Sequence, residues 1–449
     1  MATAMATITD TVMAMMTINN RIYTIICEVT TQRKTRLRSF YLIKRIMLML
    51  LLPPIIGLPH AIYSAFKRSS WRSFTKVVAF ILCIAIYLAA INASKRPGGD
   101  QWQYYAAYTN VPDIGFIGSL IWIYGNDIHN GATHISGEFM NGIYNYFGYY
   151  ITGGYYPLFV FLYTIVEYML MYIGLYRFCQ TFKKPRIPFL CGVLTLSFFY
   201  LFFQYTFQIQ KQFLAQAIMM LVLGTYAATG KMTKGLWATS ACAVFTHAST
   251  ALFLPFLAYQ PLYKKFDKTA IFLFFIAFTF SIFYGPTLAS SVISDDADVT
   301  SYSLRRLANS TDIRAESGLV LSQVIVVAIP LALICFKKLW LDRKKALSSP
   351  HRFILIIVTL LLLAVAAMVN QFTAQYRYFM MLFAFMPYLY PMIFKKTRHR
   401  DKLLYAIATL MVIWFYIQFE LIIWHYAEEW EIILKSPIFL LIQGWQMPT

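Results

Sequence analysis

The sequence has few charged residues. Only 13% of its 449 residues are charged, and 19 of them are acidic. A soluble globular protein carries roughly a quarter charged residues, so this composition excludes an ordinary soluble domain. Hydrophobic residues make up 59% of the chain, and apolar runs of about 18 residues or more, the length that crosses a bilayer, recur along it. Because a helix satisfies its own backbone hydrogen bonds in lipid, we predict an all-α fold, a polytopic bundle of membrane helices.

Cysteine is also scarce. The six cysteines are scattered, mostly within apolar segments, and no two of them have the spacing of metal ligands. We interpret them as small buried hydrophobic residues, and we predict no metal site. The sequence also has no Walker loop, no zinc motif and no nucleophile elbow. We therefore expect no cofactor, and we expect a substrate that reaches the protein in the membrane already activated.

Positive charge is abundant but discontinuous. The formal net charge is +20, with 39 Lys and Arg. Most of these lie in short loops between apolar segments, and along the chain loops rich in Lys and Arg alternate with loops that have few. Lys and Arg concentrate in the cytoplasmic loops of membrane proteins, so this alternation predicts which segment ends face the cytoplasm. Since the basic residues form no continuous face, we expect no nucleic acid partner. The lipid bilayer, with its anionic headgroups, explains them better.

The charge pattern divides the chain into two parts. Residues 1–40 are predicted to be an N-terminal tail, either cytoplasmic or disordered, and residues 41–449 a single integral-membrane domain. We count about nine spans and two further elements that do not cross, so the expected number of transmembrane helices is about nine to eleven. Outer loops are predicted at 94–153 and 290–316, and an amphipathic helix on the outer face is predicted at 422–449.

The segment 236–258 presents a topological problem. It is long enough for one span, yet basic loops precede and follow it, with Lys231 and Lys234 on one side and Lys264 on the other. Both loops are predicted to be cytoplasmic, so the segment must enter the membrane and return. His247 lies at its midpoint among hydroxyl side chains. We therefore hypothesise a re-entrant hairpin with His247 at its tip, a backbone that is tolerated only where protein or a water-filled cavity surrounds it.

Few cations fall on the predicted outer side, and four of them are candidate ligands of a phosphate group. Lys211 and Arg377 are predicted in the first turn of inward-running helices, where free N–H groups and the helix dipole already favour anions. Arg binds phosphate bidentately and Lys as a point charge. We therefore assign both residues, with Arg305 and Arg306 of the second outer loop, to diphosphate binding. The alternative is that each cation only extends to lipid headgroups.

Three residues are candidates for acid–base catalysis: His247, Asp100 and Glu138. The ordinary pKa of imidazole is near neutral, which suits proton transfer, and the predicted position of His247 at membrane depth favours a functional role over a core histidine. Asp100 and Glu138 lie in the first outer loop. They could take a proton, contact sugar hydroxyls, pair with the cations or form loop salt bridges.

Aromatic residues accompany these carboxylates. Asp100 is followed by Tyr104, Tyr105 and Tyr108, and a carboxylate in a Tyr-rich outer loop is what carbohydrate recognition would use. We therefore assign the three tyrosines to sugar binding. By contrast, Glu167 lies inside a predicted span with no basic residue near it in sequence, so we interpret it as a structural hydrogen-bonding group.

The order of these segments resembles the EpsG family of bacterial membrane proteins, which are similar to Wzy-type polysaccharide polymerases. The matching segments, within roughly residues 77–440, are Gly99-Asp100 with Tyr104, Tyr105 and Tyr108, then Glu138, Lys211-Gln212-Phe213-Leu214-Ala215, Phe245-Thr246-His247-Ala248-Ser249-Thr250-Ala251, and Arg377-Tyr378 with Pro387. Three segments depart from the family pattern: Lys211 replaces an Arg, Phe139 and Met140 replace a Pro-Gly, and the histidine segment has one extra residue.

The resemblance implies a membrane glycosyltransferase. It would join undecaprenyl-diphosphate-linked oligosaccharide units at the outer face of the bacterial inner membrane, making exopolysaccharide, capsule or O-antigen. One lipid-linked chain is then the donor, and Lys211, Arg377 and Arg305 or Arg306 neutralise its leaving diphosphate. The acceptor hydroxyl loses its proton to His247, Asp100 or Glu138, without a metal or a covalent intermediate, so the anomeric centre inverts. A flippase and a chain-length regulator are candidate partners.

Two other function classes stay open. A flippase or transporter of lipid-linked sugars would also need basic residues facing a membrane cavity. Such a protein should show internal repeats or charged residues deep within several spans, and we find neither in the sequence. A membrane O-acyltransferase of surface polysaccharide could use His247. The outer carboxylates and cations would then be irrelevant to its chemistry.

Overall fold

The computed structural model is helical throughout the part of the chain that it describes. The described residues are 48–66 without 49, 74–94, 97, 100–199 without 130, 202, 203, 206, 209–264, 318–341, 349–368, 372–393 and 434–443, with single residues between 269 and 280 and at 410 and 413. Every regular element in them is a helix, as predicted. The α-helices are α1 (Pro54–Phe66), α2 (Phe74–Ala93), α3 (Asp100–Thr109), α4 (Val111–Ile121), α5 (Gly125–His129), α6 (Met140–Thr152), α7 (Tyr156–Cys179), α8 (Arg186–Phe198), α9 (Gln210–Thr229), α10 (Lys234–Thr246), α11 (Leu254–Ala258), α12 (Pro261–Lys264), α13 (Gly318–Phe336), α14 (Ser349–Ala367), α15 (Phe372–Phe385), α16 (Tyr390–Ile393) and α17 (Pro437–Gln443). Short 3₁₀ segments span Ala248–Phe253 and Met386–Leu389, and a π turn spans Lys337–Leu341.

Three of the described helices are long and apolar enough to cross a membrane. They are Tyr156–Cys179, Gln210–Thr229 and Pro350–Ala367, that is, α7, α9 and most of α14. The protein is therefore a helical membrane protein, and the number of nine to eleven spans stays a prediction. The predicted tail at 1–40 and the second outer loop at 290–316 lie outside the described residues.

Helices α7 and α9 form the centre of the bundle and run parallel. Near their N-terminal ends the Tyr163 hydroxyl donates to the Gln210 carbonyl oxygen (3.4 Å), and near their C-terminal ends Arg177 Nη1 donates to Thr225 Oγ1 (3.1 Å). Between these contacts the two backbones meet at Gly174 and Gly224. Small residues permit this close approach in membrane helices, and it fixes the position of the first turn of α9.

Buried tyrosines connect the apolar helices through their hydroxyl groups. Tyr172 of α7 bonds Ser197 of α8 (2.6 Å), and Tyr388 donates to the Met220 carbonyl oxygen of α9 (2.9 Å). Both tyrosine side chains are fully buried. A buried hydroxyl must be paired, so these bonds let aromatic residues serve as core residues within apolar segments.

The chain from α10 to α12 folds back on itself, as hypothesised for 236–258. It leaves the C-terminal end of α9, and Thr246 at the end of α10 approaches Tyr144 of α6 (3.3 Å between hydroxyls). It then returns through the 3₁₀ segment and α11, so that the Tyr263 hydroxyl bonds the Tyr226 hydroxyl near the C-terminal end of α9. The structure therefore has a hairpin whose turn begins at His247. Its depth in a membrane stays a prediction.

A short helix, α17, lies within the segment 422–449, for which an amphipathic helix on the outer face stays a prediction. Leu440 packs against the C-terminal end of α2 and against Phe161 of α7, and the Tyr155 hydroxyl donates to the Leu441 carbonyl oxygen (2.7 Å). These contacts place α17 at the end of the bundle where α7 and α9 begin. We call this end the site end.

The sequence-based interpretation of Glu167 is wrong. This side chain of α7 is fully buried, yet neither of its carboxyl oxygens has a hydrogen-bond partner among the residues that the structure describes. Glu167 lies one helical turn after Tyr163, on the face of α7 from which Tyr163 reaches α9.

Candidate functional site

The first turn of α9 is the centre of a polar cluster at the site end. Three successive residues of this turn bond three different parts of the chain. The Gln210 carbonyl oxygen accepts from Tyr163 of α7, and Lys211 bonds Glu138. Gln212 Nε2 donates to the Arg377 carbonyl oxygen of α15 (2.9 Å). The preceding residue, Ile209, provides no side-chain cap. The turn is nevertheless buried, so the positive end of the α9 dipole faces this cluster.

Lys211 and Glu138 form an ion pair within the cluster. Lys211 Nζ lies 2.5 Å from Glu138 Oε2, and the Lys211 side chain is only 1% exposed whereas that of Glu138 is 21% exposed. Glu138 Oε1 accepts the Ala248 N–H at the hairpin turn (3.1 Å) and lies 4.0 Å from His247 Nε2. One carboxylate therefore connects the first outer loop, α9 and the hairpin, and it balances the charge of a buried ammonium.

The electrostatics of Glu138 follow from these contacts. Burial alone would raise the pKa of the Glu138 carboxyl, but Lys211, His247 and the two hydrogen bonds outweigh burial and lower the pKa to about 2. A carboxylate with so low a pKa accepts protons poorly near neutral pH. The geometry therefore favours a role for Glu138 in holding the cluster together over a role as general base.

His247 lies where α10 ends and the 3₁₀ segment begins, with an extended backbone (φ −157°, ψ 121°). Its Nδ1 accepts from the Ser249 N–H (3.3 Å) and lies 2.7 Å from Ser249 Oγ. An Nδ1 that accepts a backbone N–H carries no proton, so the neutral ring has its hydrogen on Nε2, facing Glu138. In this tautomer His247 presents a donor to the cluster.

Two tyrosines form the aromatic side of the cluster. Lys211 Nζ lies 3.9 Å from the ring centroid of Tyr124, a cation–π contact, and Tyr124 stacks on Tyr104 of α3 with ring centroids 5.5 Å apart. Burial raises the pKa of Tyr104, and Tyr124 and Asp100 raise it further, whereas Arg377 lowers it. Asp100 and Arg377 therefore lie within electrostatic reach of the same tyrosine.

Arg377 reaches this cluster from a different helical position than predicted. Helix α15 begins at Phe372, so Arg377 lies in its second turn, not in its first. The extra turn is held in place because Gln375 Nε2 donates to the Val365 carbonyl oxygen of α14 (2.9 Å). Lys211, by contrast, lies in the first turn of its helix as predicted. Within the described residues no carboxylate lies within salt-bridge distance of the Arg377 guanidinium.

The other two predicted sugar-binding tyrosines of α3 pack against α7. Tyr108 is fully buried, bonds Thr152 (2.5 Å) and contacts the ring of Phe159, so in this conformation it offers no surface to a sugar. Tyr105 is half-buried and packs edge-on against Tyr156 (4.9 Å between centroids). The predicted diphosphate ligands Arg305 and Arg306 lie outside the described residues.

Sequence reasoning missed two residues of the cluster, Tyr124 and Asp127. Asp127 Oδ2 accepts the Tyr124 N–H (2.8 Å), which closes the first turn of α5. Burial raises the pKa of Asp127, and the Tyr124 N–H and Lys211 lower it in part. The signal that could have found them is weak: an aspartate three residues after a tyrosine, the spacing of a helix cap. In the described part of the chain no three His, Cys, Asp or Glu side chains are grouped as metal ligands would be.

Comparison with known proteins gives one finding. The model of a family described as the EpsG family matches residues 95–431, a range that contains every residue of the cluster described above. No match was found among the curated proteins or the solved structures.

Proposed function

The chain belongs to the EpsG family of polysaccharide polymerase-like membrane proteins, and from this premise we propose that it joins oligosaccharide units carried on undecaprenyl diphosphate. In this proposal the cluster faces the outer side of the bacterial inner membrane. One lipid-linked chain is the donor, and a second lipid-linked unit is the acceptor.

The proposal depends on two neighbouring cations with different surroundings. Lys211 is paired with a carboxylate, whereas Arg377 has no carboxylate partner among the described residues. Lys211 is neutralised by Glu138, and it contributes to the field around the α9 N-terminus. Arg377 lies on the adjacent helix, bonded through its backbone to Gln212, and is only half-buried. A guanidinium in this setting suits bidentate contact with a phosphate group. Arg305 and Arg306 are the further cations that we propose for the diphosphate.

The proposed reaction is a single displacement. The acceptor hydroxyl oxygen forms a bond to the anomeric carbon of the donor while the bond from that carbon to the diphosphate oxygen breaks, so the configuration inverts. The leaving diphosphate keeps the bonding electrons, and the nearby cations stabilise the negative charge that develops on it. The proton of the acceptor hydroxyl passes to a general base.

The geometry distinguishes between the three predicted bases. Both oxygens of Glu138 are engaged and its pKa is about 2, and the Nδ1 of His247 is engaged with Ser249. Glu138 therefore suits a positioning role better than proton abstraction, and His247, whose Nε2 carries the hydrogen, suits hydrogen-bond donation to the diphosphate. We propose that the base is a carboxylate on the aromatic side of the cluster, where Asp100 lies.

Sugar recognition in this proposal belongs to the same aromatic side. Tyr104 and Tyr124 form a stacked pair beside the cations, but both rings are buried, so in this proposal they support the site rather than contact the sugar. Tyr105 of α3 is half-buried, and a ring with a polar tip is suited to contact with sugar faces and hydroxyls. Tyr108 is fully buried and has only a structural role in this proposal.

Purified protein in vesicles tests the proposal against its rivals. We would supply lipid-linked repeat units isolated from the source cells and separate the products by size. A ladder of longer glycans with release of free lipid diphosphate is the expected result. Translocation of the units without any ladder would support a flippase, and acyl transfer to the glycan would support an O-acyltransferase; either result alone would overturn the proposal.

A further inference from the structure

Five carboxyl side chains lie in the described part of the chain, and their surroundings differ: Asp100, Asp113, Asp127, Glu138 and Glu167. Glu138 already bonds Lys211 and the Ala248 N–H. Glu167 is fully buried in α7, and Asp113 is exposed in the first turn of α4. Asp100 and Asp127 are the two that are half-buried beside the Tyr104–Tyr124 pair.

Asp127 is held in a fixed position by the backbone. Its Oδ2 accepts the Tyr124 N–H (2.8 Å), while the Asp127 N–H donates to the Tyr124 carbonyl oxygen (3.1 Å) and the Ala132 N–H donates to the Asp127 carbonyl oxygen (3.3 Å). The turn itself is seated on α3, because Gly125 approaches Ala106 too closely for any larger residue. The backbone therefore holds the Asp127 carboxylate in one position.

Asp127 lies within electrostatic reach of a cation of the site end. Lys211 of α9 interacts electrostatically with Asp127, and the Lys211 ammonium lies over the ring of Tyr124, the residue that bonds Asp127. The other titratable groups near Asp127 are Tyr124 on its own turn and His129 at the end of α5. Asp127 therefore lies on the aromatic side of the cluster, next to Tyr124 and within electrostatic reach of Lys211.

We propose that Asp127 is the general base that accepts the proton of the acceptor hydroxyl. This inference rests on the proposed function and selects Asp127, rather than Asp100, from the carboxylates on the aromatic side of the cluster. As the hydroxyl oxygen bonds the anomeric carbon, its O–H bond breaks, the proton passes to the Asp127 carboxylate, and the electron pair of the broken glycosyl bond leaves with the diphosphate. The proton then returns to water. Burial raises the pKa of Asp127 above its ordinary value even though Lys211 lies nearby, which makes this carboxylate a stronger base than Glu138.

The alternative is a purely structural role, in which Asp127 only caps the short helix α5. The variant Asp127→Asn separates the two roles, because an asparagine oxygen still accepts the Tyr124 N–H but the amide takes up no proton. Asp127→Ser, which also keeps a capping oxygen, is the second variant should the first unfold. Asp113→Asn is the matched control, since Asp113 is an exposed aspartate of the same outer loop.

The test measures polymerisation rate and the apparent KM for the lipid-linked unit, with wild-type protein and the variants at equal, folded amounts. We expect Asp127→Asn to lower kcat by about a hundredfold or more while KM changes little. We also expect wild type to lose activity at acidic pH, where Asp127 becomes protonated, and Asp127→Asn to lack this loss. Asp113→Asn should match wild type. Polymerisation by Asp127→Asn near the wild-type rate, or a large loss in Asp100→Asn alone, would overturn the assignment. Absence of polymer from wild type itself would instead overturn the proposed function, and this inference with it.

Discussion

At the scale of single residues, the cluster depends on one carboxylate that balances a nearly inaccessible ammonium. Lys211 is 1% exposed and its nitrogen bonds Glu138. Removing one partner of a buried pair leaves an uncompensated charge, which costs more than the pair itself contributes. The Lys211–Glu138 pair therefore stabilises the cluster and fixes the positions of the neighbouring residues.

The Glu138→Gln variant should show this cost. We expect it to lose roughly 3 kcal/mol or less of unfolding free energy, because Glu138 is partly exposed and solvent screens part of the interaction. The double variant Lys211→Met with Glu138→Gln should recover part of that loss, since no buried charge then remains. Denaturant unfolding in detergent measures both values, with Lys184→Met, at an exposed lysine, as control. Additive losses in the double variant would contradict the pairing.

The pH dependence of stability follows from the same residue. The folded-state pKa of Glu138 is about 2, below its ordinary value of 4.5, so its contribution to stability is complete above pH 4.5 and declines as the pH falls toward 2. The difference in melting temperature between wild type and Glu138→Gln should therefore be constant from neutral pH to about pH 5 and shrink below that. A difference that grows on acidification would show that the sign is wrong.

Because ionisable residues are few on the predicted outer side, some site residues could be predicted from the sequence and others could not. Lys211, Glu138 and His247 were found because ionisable residues are rare on the predicted outer side, and the structure brings these three together. That Glu138 neutralises Lys211 was one of several open alternatives, since the two residues are separated by a long stretch of chain and only the tertiary fold pairs them. Tyr124 and Asp127 carry no local pattern beyond a helix cap, so sequence reasoning missed them.

At the scale of helices, the site end is positioned by the crossing of α7 and α9. A Cβ atom on Gly174 would overlap the Met220 carbonyl oxygen, and one on Gly224 would overlap the Gly174 carbonyl oxygen. Both obstacles are backbone atoms, which cannot rotate away as a side chain does. The glycines therefore set the separation of the helices, and with it the depth at which Lys211 meets Glu138.

Gly174→Ala should consequently destabilise the protein. We expect a loss of about 1–3 kcal/mol from overpacking, measured as a lower melting temperature in detergent. Gly235→Ala is the matched control, because a Cβ atom there would lie 3.9 Å from its nearest neighbour, Thr233 Oγ1, and alanine favours the helix by roughly 0.5–1 kcal/mol. Equal melting temperatures for the two variants would contradict the close crossing.

The hairpin is an element that charge patterning could predict and hydropathy alone could not. Basic residues on both sides of 236–258 required the chain to return, and the contact between Tyr226 and Tyr263 shows that it does so. Helix ends were predicted less well. Arg377 was expected at a helix start, but α15 begins earlier because its first turn is anchored to α14 through Gln375.

Cysteine labelling tests the hairpin in the membrane. In a variant lacking the six native cysteines, Lys231→Cys and Gln260→Cys should both react from the cytoplasmic side, since they flank the two arms of the hairpin at the same end of α9. Thr133→Cys, in the exposed loop before Glu138, should react from the other side. Labelling of positions 231 and 260 from opposite sides would rule out a re-entrant hairpin.

At the scale of the whole molecule, the bundle has two chemically different ends. The site end holds the Lys211–Glu138 pair, His247 and Arg377, whereas at the other end Arg177 and Arg352 bond Thr225 and the Tyr263 carbonyl oxygen. Composition and charge alternation were enough to predict a helical membrane protein, and the order of short motifs was enough to suggest its family. They were not enough to define the number of spans, because apolar segments that cross the membrane and apolar segments that enter and return have similar lengths.

The central claim is that the site end transfers a glycan from a lipid diphosphate, with Arg377 contacting the leaving group. The most direct measurement counts lipid diphosphate released and glycosidic bonds formed by purified protein supplied with lipid-linked units. We predict one diphosphate for each bond in wild type, and loss of both products in Arg377→Ala at normal protein level and unchanged melting temperature. Full polymer from Arg377→Ala, or bonds formed without release of diphosphate, would contradict the account.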